Sequence, residues 1–267
     1  MKDISFLEKN GVDIKSSLDI FGDAQTYNET IGEFLVGIHS KINELIEMMN
    51  NADMNNYAIT VHSLKGDAKY FGFMKLAELA EEHEMKSKEG DMSYVTSHIN
   101  DLITETNNAI VLIQEYMNSD ETVDNANQDT AESTGEVYNT KTILVVDDSN
   151  IIRNFVKRIF ADEYNVGTAE NGEEAMEILK ANKGNGFIIT MLLDLNMPKV
   201  DGFAVLEFMR QNNLLSEIPV SIISGDSSKE TIDRAFTYEI IDMLSKPFNE
   251  QNIKSVIEKT MLYKEMN

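Results

Sequence analysis

Cysteine is absent from this 267-residue chain, which excludes disulfides, thiolate metal sites and a cysteine nucleophile. Its absence fits a reducing compartment. Proline is scarce, with three in all, and none lies within residues 1–118. No apolar run approaches the ~18–20 residues that a membrane span requires. The opening MKDISFLEKN lacks the apolar core of a signal peptide. The expectation is a soluble, cytoplasmic chain with no membrane insertion. Basic residues are also few, 23 Lys and Arg against 46 Asp and Glu, for a net charge of −23. Residues 1–118, 119–141 and 142–267 carry −11, −5 and −7, so each segment is acidic. Binding to nucleic acid depends on neutralising phosphates with Lys and Arg, so a nucleic-acid partner is not expected.

What is present is enough apolar residue, 42 %, for real cores, and enough length for about two domains. Residues 1–118 read as all-α. Ile31, Phe34, Leu35, Ile38, Ile42, Leu45, Ile46 and Met49 recur at the i, i+3, i+4, i+7 spacing of an amphipathic helix over 27–49. Further helices are predicted at 54–71, 74–88 and 93–117, which together make an antiparallel four-helix bundle. Residues 119–140 are polar, acidic and nearly free of large apolar side chains, the composition of a flexible linker. Residues 141–267 alternate strands with helices. Strands are predicted at 142–146, 165–169, 187–193, 220–224 and 240–244, each followed by a helical pattern. Five such units in about 125 residues predict an α/β fold, a doubly wound five-stranded parallel sheet.

The third predicted strand, FIITMLL, is a continuous apolar run that stops at Asp194. Such a run reads as a central strand buried on both faces, and open α/β sheets bind ligands at the strands' carboxyl ends. The first strand ends in Asp147 and Asp148, the fourth in Ser224, and the fifth in Lys246 and Pro247. Three carboxylates converging on one edge repel one another unless a cation sits among them, and oxygen ligands suit Mg²⁺. A hydroxyl and an ammonium beside that cation suit a tetrahedral anion, so the chemistry expected is phosphoryl transfer.

The segments VVDDS, DLNMP, IISGD and SKPF, in this order at these strand ends, make residues 141–264 resemble the receiver domain of two-component response regulators. The resemblance implies that Asp194 is the phosphoacceptor, and that Asp148 and the Asn196 carbonyl are Mg²⁺ ligands, with Asp147 acting through water. It also implies that Ser224 and Lys246 hold the phosphoryl oxygens, that the Lys246–Pro247 bond is cis, and that Gly225 leaves room for a donor. Asn196 and Asp226 occupy the positions that set the hydrolysis rate in receivers. One position departs from the pattern: Met243 stands where receivers carry Tyr or Phe, which argues against an aromatic rotamer switch.

On the predicted helix 54–71, Tyr57, Val61, Leu64, Ala68 and Phe71 share one arc, and His62, Lys65, Gly66 and Lys69 fall opposite. This places the histidine away from the core, flanked by two lysines that could balance an added phosphoryl group. Gly66 costs ~1 kcal/mol in a helix interior relative to Ala and lets another protein approach closely. The run HSLKGDAKYFG resembles the His-x-x-Lys-Gly signature of histidine phosphotransfer domains and of the phosphorylated domain of chemotaxis kinases, with Gly72 ten residues after His62. Asp67 departs from the small residues common there and is expected to tune transfer. His39, His83 and His98 read as structural or surface residues.

Together these features imply a phosphorelay protein, not an enzyme in its own right, which passes phosphoryl groups between His62 and Asp194 of itself or of partners. The sequence shows no Walker A motif or kinase signature. Expected partners are a sensor histidine kinase and other receiver or phosphotransfer proteins. The alternative is a receiver-gated interaction protein or phosphate sink, in which phosphorylation of Asp194 controls access to His62 or to an output partner.

Overall fold

The structure, a computed structural model, describes residues 3–118 and 137–266. The chain divides into two compact units, Met1–Thr130 and Ala131–Asn267. Most of the stretch expected as a linker, 119–140, lies outside the described residues.

The first unit is all helix: α1 (Ser5–Lys9), α2 (Ile14–Phe21), α3 (Ala24–Asn50), α4 (Met54–Tyr70), α5 (Met74–Lys88) and α6 (Met92–Asn118). The last four are the expected bundle; α1 and α2 are additions that the periodicity did not reveal, being only 5 and 8 residues long. Aspartates start four of the helices. The Asp13, Asp23, Asp53 and Asp91 carboxylates accept from the backbone N–H of Ser16, Thr26, Asn56 and Tyr94, satisfying donors that a helix start leaves free. Aromatic rings fill one end of the core. Phe34 and Phe71 stack with centroids 4.8 Å apart, and Tyr27 donates its hydroxyl to the Phe71 carbonyl. Gly72 makes the α4–α5 turn at φ +77°, and a Cβ there would lie 2.5 Å from the Asp13 carbonyl oxygen. Its glycine is therefore set by the turn and by the close approach of the α2 entrance, which donates the Asp13 N–H back to the Gly72 carbonyl.

All five residues of the expected core arc on α4 (Tyr57, Val61, Leu64, Ala68 and Phe71) are fully buried. The opposite arc corrects the sequence reading, because His62 and Lys65 are also buried, 6 % and 8 % exposed. The reason is position: α4 packs between α3 and α5, so little of its circumference faces solvent.

His83 on α5 lies wholly within this core. Its Nδ1 shares a hydrogen bond of 2.8 Å with the Tyr57 hydroxyl, and its Nε2 is buried without a hydrogen bond of good geometry. Burial pulls its pKa below the ordinary 6.5, outweighing weak support from the His98 backbone and the charges of Glu82 and Asp101. Between the folded and unfolded pKa values the unfolded chain binds more protons, so stability is fully present above 6.5 and is lost as pH falls below it. The midpoint of urea unfolding of the bundle, followed by amide exchange in α4 and α5, should fall between pH 7 and pH 5 in the wild type. In His83→Gln that slope should flatten; an unchanged slope would remove His83 as its source.

The second unit alternates: β1 (Thr142–Val146), α7 (Asn150–Phe160), β2 (Asn165–Ala169), α8 (Gly172–Ala181), β3 (Ile188–Asp194), α9 (Gly202–Gln211), β4 (Val220–Ser224), α10 (Lys229–Ala235), a 3₁₀ turn at Phe236–Tyr238, β5 (Asp242–Ser245) and α11 (Glu250–Met266). The sheet is parallel throughout, in the order β2-β1-β3-β4-β5. β3 is central and almost wholly buried, as its unbroken apolar run requires. At its far end, Tyr138 packs into the core of this unit, donates its N–H to the Asn182 side chain and lies so close over β2 that a Cβ on Gly167 would overlap its ring. The packed structure of this unit therefore includes Tyr138, within the stretch expected to be linker.

Candidate functional sites

In the second unit the strand ends meet as the topology dictates. Because β1 and β3 are neighbours, Asp147, Asp148 and Asp194 come to one edge. Among the described residues they place carboxylate oxygens within 4.8 Å of one another. Asp147 and Asp194 are buried and Asp148 is half-buried. Lys246, from the loop after β5, places Nζ 2.6 Å from Oδ2 of Asp147 and 2.6 Å from Oδ2 of Asp194. The Lys246–Pro247 bond is cis. Burial pushes the Asp147 carboxyl up, to about 7, and the neighbouring Asp194 and Asp148 add to the rise while Lys246 opposes it. Burial alone would lower the Lys246 pKa, but the three carboxylates outweigh it and keep the ammonium protonated.

The loops after the strands finish the site. The Asn196 N–H donates to Oδ1 of Asp194 at 3.1 Å, and its side-chain Nδ2 is buried without a hydrogen-bond partner. Ser224 is fully buried, its Oγ accepting from the Asp226 N–H. Gly202, first residue of α9, lies against Asp194: a Cβ on it would sit 2.2 Å from the Asp194 carbonyl oxygen. Asp226 is engaged by the Ser228 N–H and the Thr231 hydroxyl. Met243 is half-buried on β5, opposite Ile222.

These residues fit a small hard cation. Ligand oxygens on opposite sides of Mg²⁺ lie about 4.2 Å apart, a spacing that the cluster can accommodate. A buried ammonium in contact with two of the carboxylates suits the oxygens of a phosphoryl group.

In the first unit the site is built on the α4–α5 hairpin. His62 Nδ1 lies 2.7 Å from Oε1 of Glu84. The other oxygen of Glu84 accepts from Lys65 at 2.6 Å, and Lys88 bonds Oε1 at 2.6 Å. Burial would raise the Glu84 pKa, but hydrogen bonds from His62, Lys65 and Lys88 outweigh it and hold the group far below the usual carboxylate range. An ionised carboxylate only accepts hydrogen bonds, so Nδ1 carries the proton and, in the neutral ring, Nε2 carries the lone pair. Lys69 pairs loosely with Glu81 at 3.4 Å. A Cβ on Gly66 would meet no atom within 4 Å, so the space beside the histidine is open. Asp67 turns away from His62 to pair with Lys41 of α3, which also reaches Ser63 at 2.8 Å.

Glu84 and Lys88 were missed in the sequence. A signal was there: an antiparallel hairpin turning at Gly72 sets residues near 83 opposite 62, and EEHE spans that position.

Comparison with known proteins gives two domain assignments. The family described as Response regulator receiver domain matches residues 143–258, and the Hpt domain family matches residues 24–109. The chemotaxis protein CheY1 of Helicobacter pylori (strain J99) is 33 % identical over 118 residues, 43 % of this chain and 93 % of CheY1. The two-component response regulator ORR3 of Oryza sativa is 30 % identical over 121 residues, 45 % of this chain and 90 % of ORR3. Among solved structures, the receiver domain of the Francisella response regulator 1452 is 28 % identical, with a TM-score of 0.41, covering 48 % of this chain and all of that one.

Proposed function

The chain belongs to the response regulator receiver family and is a two-component phosphorelay protein with an Hpt domain ahead of its receiver; on that premise we propose that His62 and Asp194 are the two residues that carry the phosphoryl group. The observation that carries this reading is the pair of opposed preparations: a histidine whose Nδ1 is held by an ionised carboxylate, and an aspartate whose Oδ2 is held by a buried ammonium.

In the forward step, an Asp194 carboxylate oxygen attacks phosphorus in line with the Nε2–P bond of phospho-His62 from this chain or a partner. The O–P bond forms as the N–P bond breaks, and the electron pair returns to Nε2. Nδ1 keeps its proton throughout, donated to Glu84. Lys246 stabilises charge on the transferring oxygens, and the Ser224 hydroxyl and the Asn196 side chain supply further donors to them. Asp147, Asp148, Asp194 and the Asn196 carbonyl would hold Mg²⁺, which supplies Lewis-acid charge to the same oxygens when bound. Lys65 and Lys69 flank the histidine with positive charge, and Gly66 leaves the approach open. A sensor histidine kinase or another phosphotransfer protein is the source of the group, and the expected place of action is the cytoplasm.

The test uses the full chain with acetyl phosphate and MgCl₂, mapping label by the base stability of phosphohistidine and the base lability of acyl phosphate. Label is expected on Asp194 and then on His62; Asp194→Ala should lose both, and His62→Gln should keep the first. Efficient labelling of Asp194 with none on His62 would favour the gated reading, in which the receiver controls access instead of passing the group.

A further inference from the structure

The turn that presents Asp147 and Asp148 is tied in an unexpected way. The Asp147 side chain closes it from one direction, Oδ1 accepting from the Ser149 N–H at 2.9 Å. From the other, Arg153, one turn into α7, reaches back and donates Nη1 to the Asp147 main-chain carbonyl at 2.6 Å. The Arg153 N–H also bonds the Ser149 carbonyl as α7 begins. Asp148 lies between these two anchors, with neither holding its own side chain. A guanidinium on the helix that follows Asp147 and Asp148 would ordinarily be read as charge compensation, yet the contact it makes here is to a neutral carbonyl.

We propose that Arg153 is a positioning residue for the cation-binding turn, its guanidinium clamping the Asp147 carbonyl so that the Asp148 carboxylate is held where a divalent cation needs it. The inference rests on the reading of Asp147, Asp148 and Asp194 as the Mg²⁺ site. Small cations demand near-ideal ligand geometry, so a turn free to change its backbone φ and ψ angles loses affinity even with every carboxylate present. Outer partners that orient metal ligands typically contribute 10–100-fold in affinity.

Positioning and charge compensation predict opposite signs. If Arg153 merely offsets negative charge, removing it makes the site more anionic and Mg²⁺ binds more tightly. If it positions the turn, removing it weakens Mg²⁺ despite the gain in negative charge.

The experiment is calorimetric titration of the full chain with MgCl₂, without phosphodonor, for wild type, Arg153→Ala, Arg153→Gln and Arg153→Lys. Amide exchange of α7 confirms that each variant is folded. The expected result is a Kd raised about 10-fold in Arg153→Ala, with partial recovery in Arg153→Lys, whose ammonium can still donate to the carbonyl. Arg153→Gln, neutral but able to donate, covers the case in which the alanine variant does not fold, and its Kd should also rise. An unchanged or lower Kd in the folded neutral variants overturns the positioning role. Asp148→Ala separates the two readings: it should abolish binding. If Asp148→Ala binds as the wild type does, the site itself has been misread and the proposal falls with it.

Discussion

Replacing Lys246 with methionine should slow labelling of Asp194 by acetyl phosphate roughly 10²–10³-fold, the loss typical of removing one preorganised donor to a developing anion. The side chain is 8 % exposed and its Nζ contacts both Asp147 and Asp194 at 2.6 Å, so water cannot readily take its place. The same substitution leaves three carboxylate groups crowded without their ammonium, and pushes the already raised Asp147 higher still. Stability should therefore fall most in chelator and recover with MgCl₂, because a bound cation replaces the lost charge. The rate should not recover. This split distinguishes a lysine that acts on the transferring group from one that only neutralises the site. It is measured by initial labelling rates at saturating MgCl₂, beside melting curves with and without the metal. A methionine variant labelled within about threefold of wild type at saturating MgCl₂ would remove Lys246 from the transfer step.

The receiver was legible because its chemistry sits at places that topology fixes. Once β3 is read as central from its unbroken apolar run, the ends of β1, β4 and β5 must follow, and Asp147, Asp194, Ser224 and Lys246 are brought to one edge by hydrogen-bonded register alone. Arg153 was not legible, since its acceptor is a main-chain oxygen and no spacing rule marks such a partner. Tyr138 was not legible because a single aromatic in an acidic stretch gives no periodicity; only the bare strand face at Gly167 explains it. In the bundle, the helical period identified the α4 core arc completely but misjudged the opposite face. Periodicity reports one apolar stripe and cannot tell whether the polar stripe meets water or a second polar helix. Here it meets α5, and the residues that make that burial tolerable are the charges of Lys65, Glu84 and Lys88.

That same network carries the largest effect expected in the bundle. With glutamate replaced by glutamine at position 84, the rate at which phosphoryl groups reach His62 should drop about 10- to 100-fold, by analogy with metal-ligating histidines that lose the carboxylate orienting them. Three consequences of the 2.7 Å contact are lost together. The ring is no longer restricted to the tautomer with Nδ1 protonated, so part of the population carries its lone pair on the wrong nitrogen. Nε2 loses the electron density that a carboxylate lends through the ring. Lys65 and Lys88 lose their common anion, and the Lys65 side chain, 10 % exposed, is free to swing across the histidine. Glu84→Gln is preferred to Glu84→Ala because truncating one member of a buried ionic group typically costs ~3–5 kcal/mol, enough to confuse loss of fold with loss of function. Nitrogen-15 shifts of the imidazole give the independent reading: protonated Nδ1 and bare Nε2 in the wild type, a mixture in the variant. Should the variant retain both the wild-type tautomer and the wild-type rate, Glu84 would be a structural anchor for the two lysines, and the preparation of His62 would have to be sought in the ring's packing.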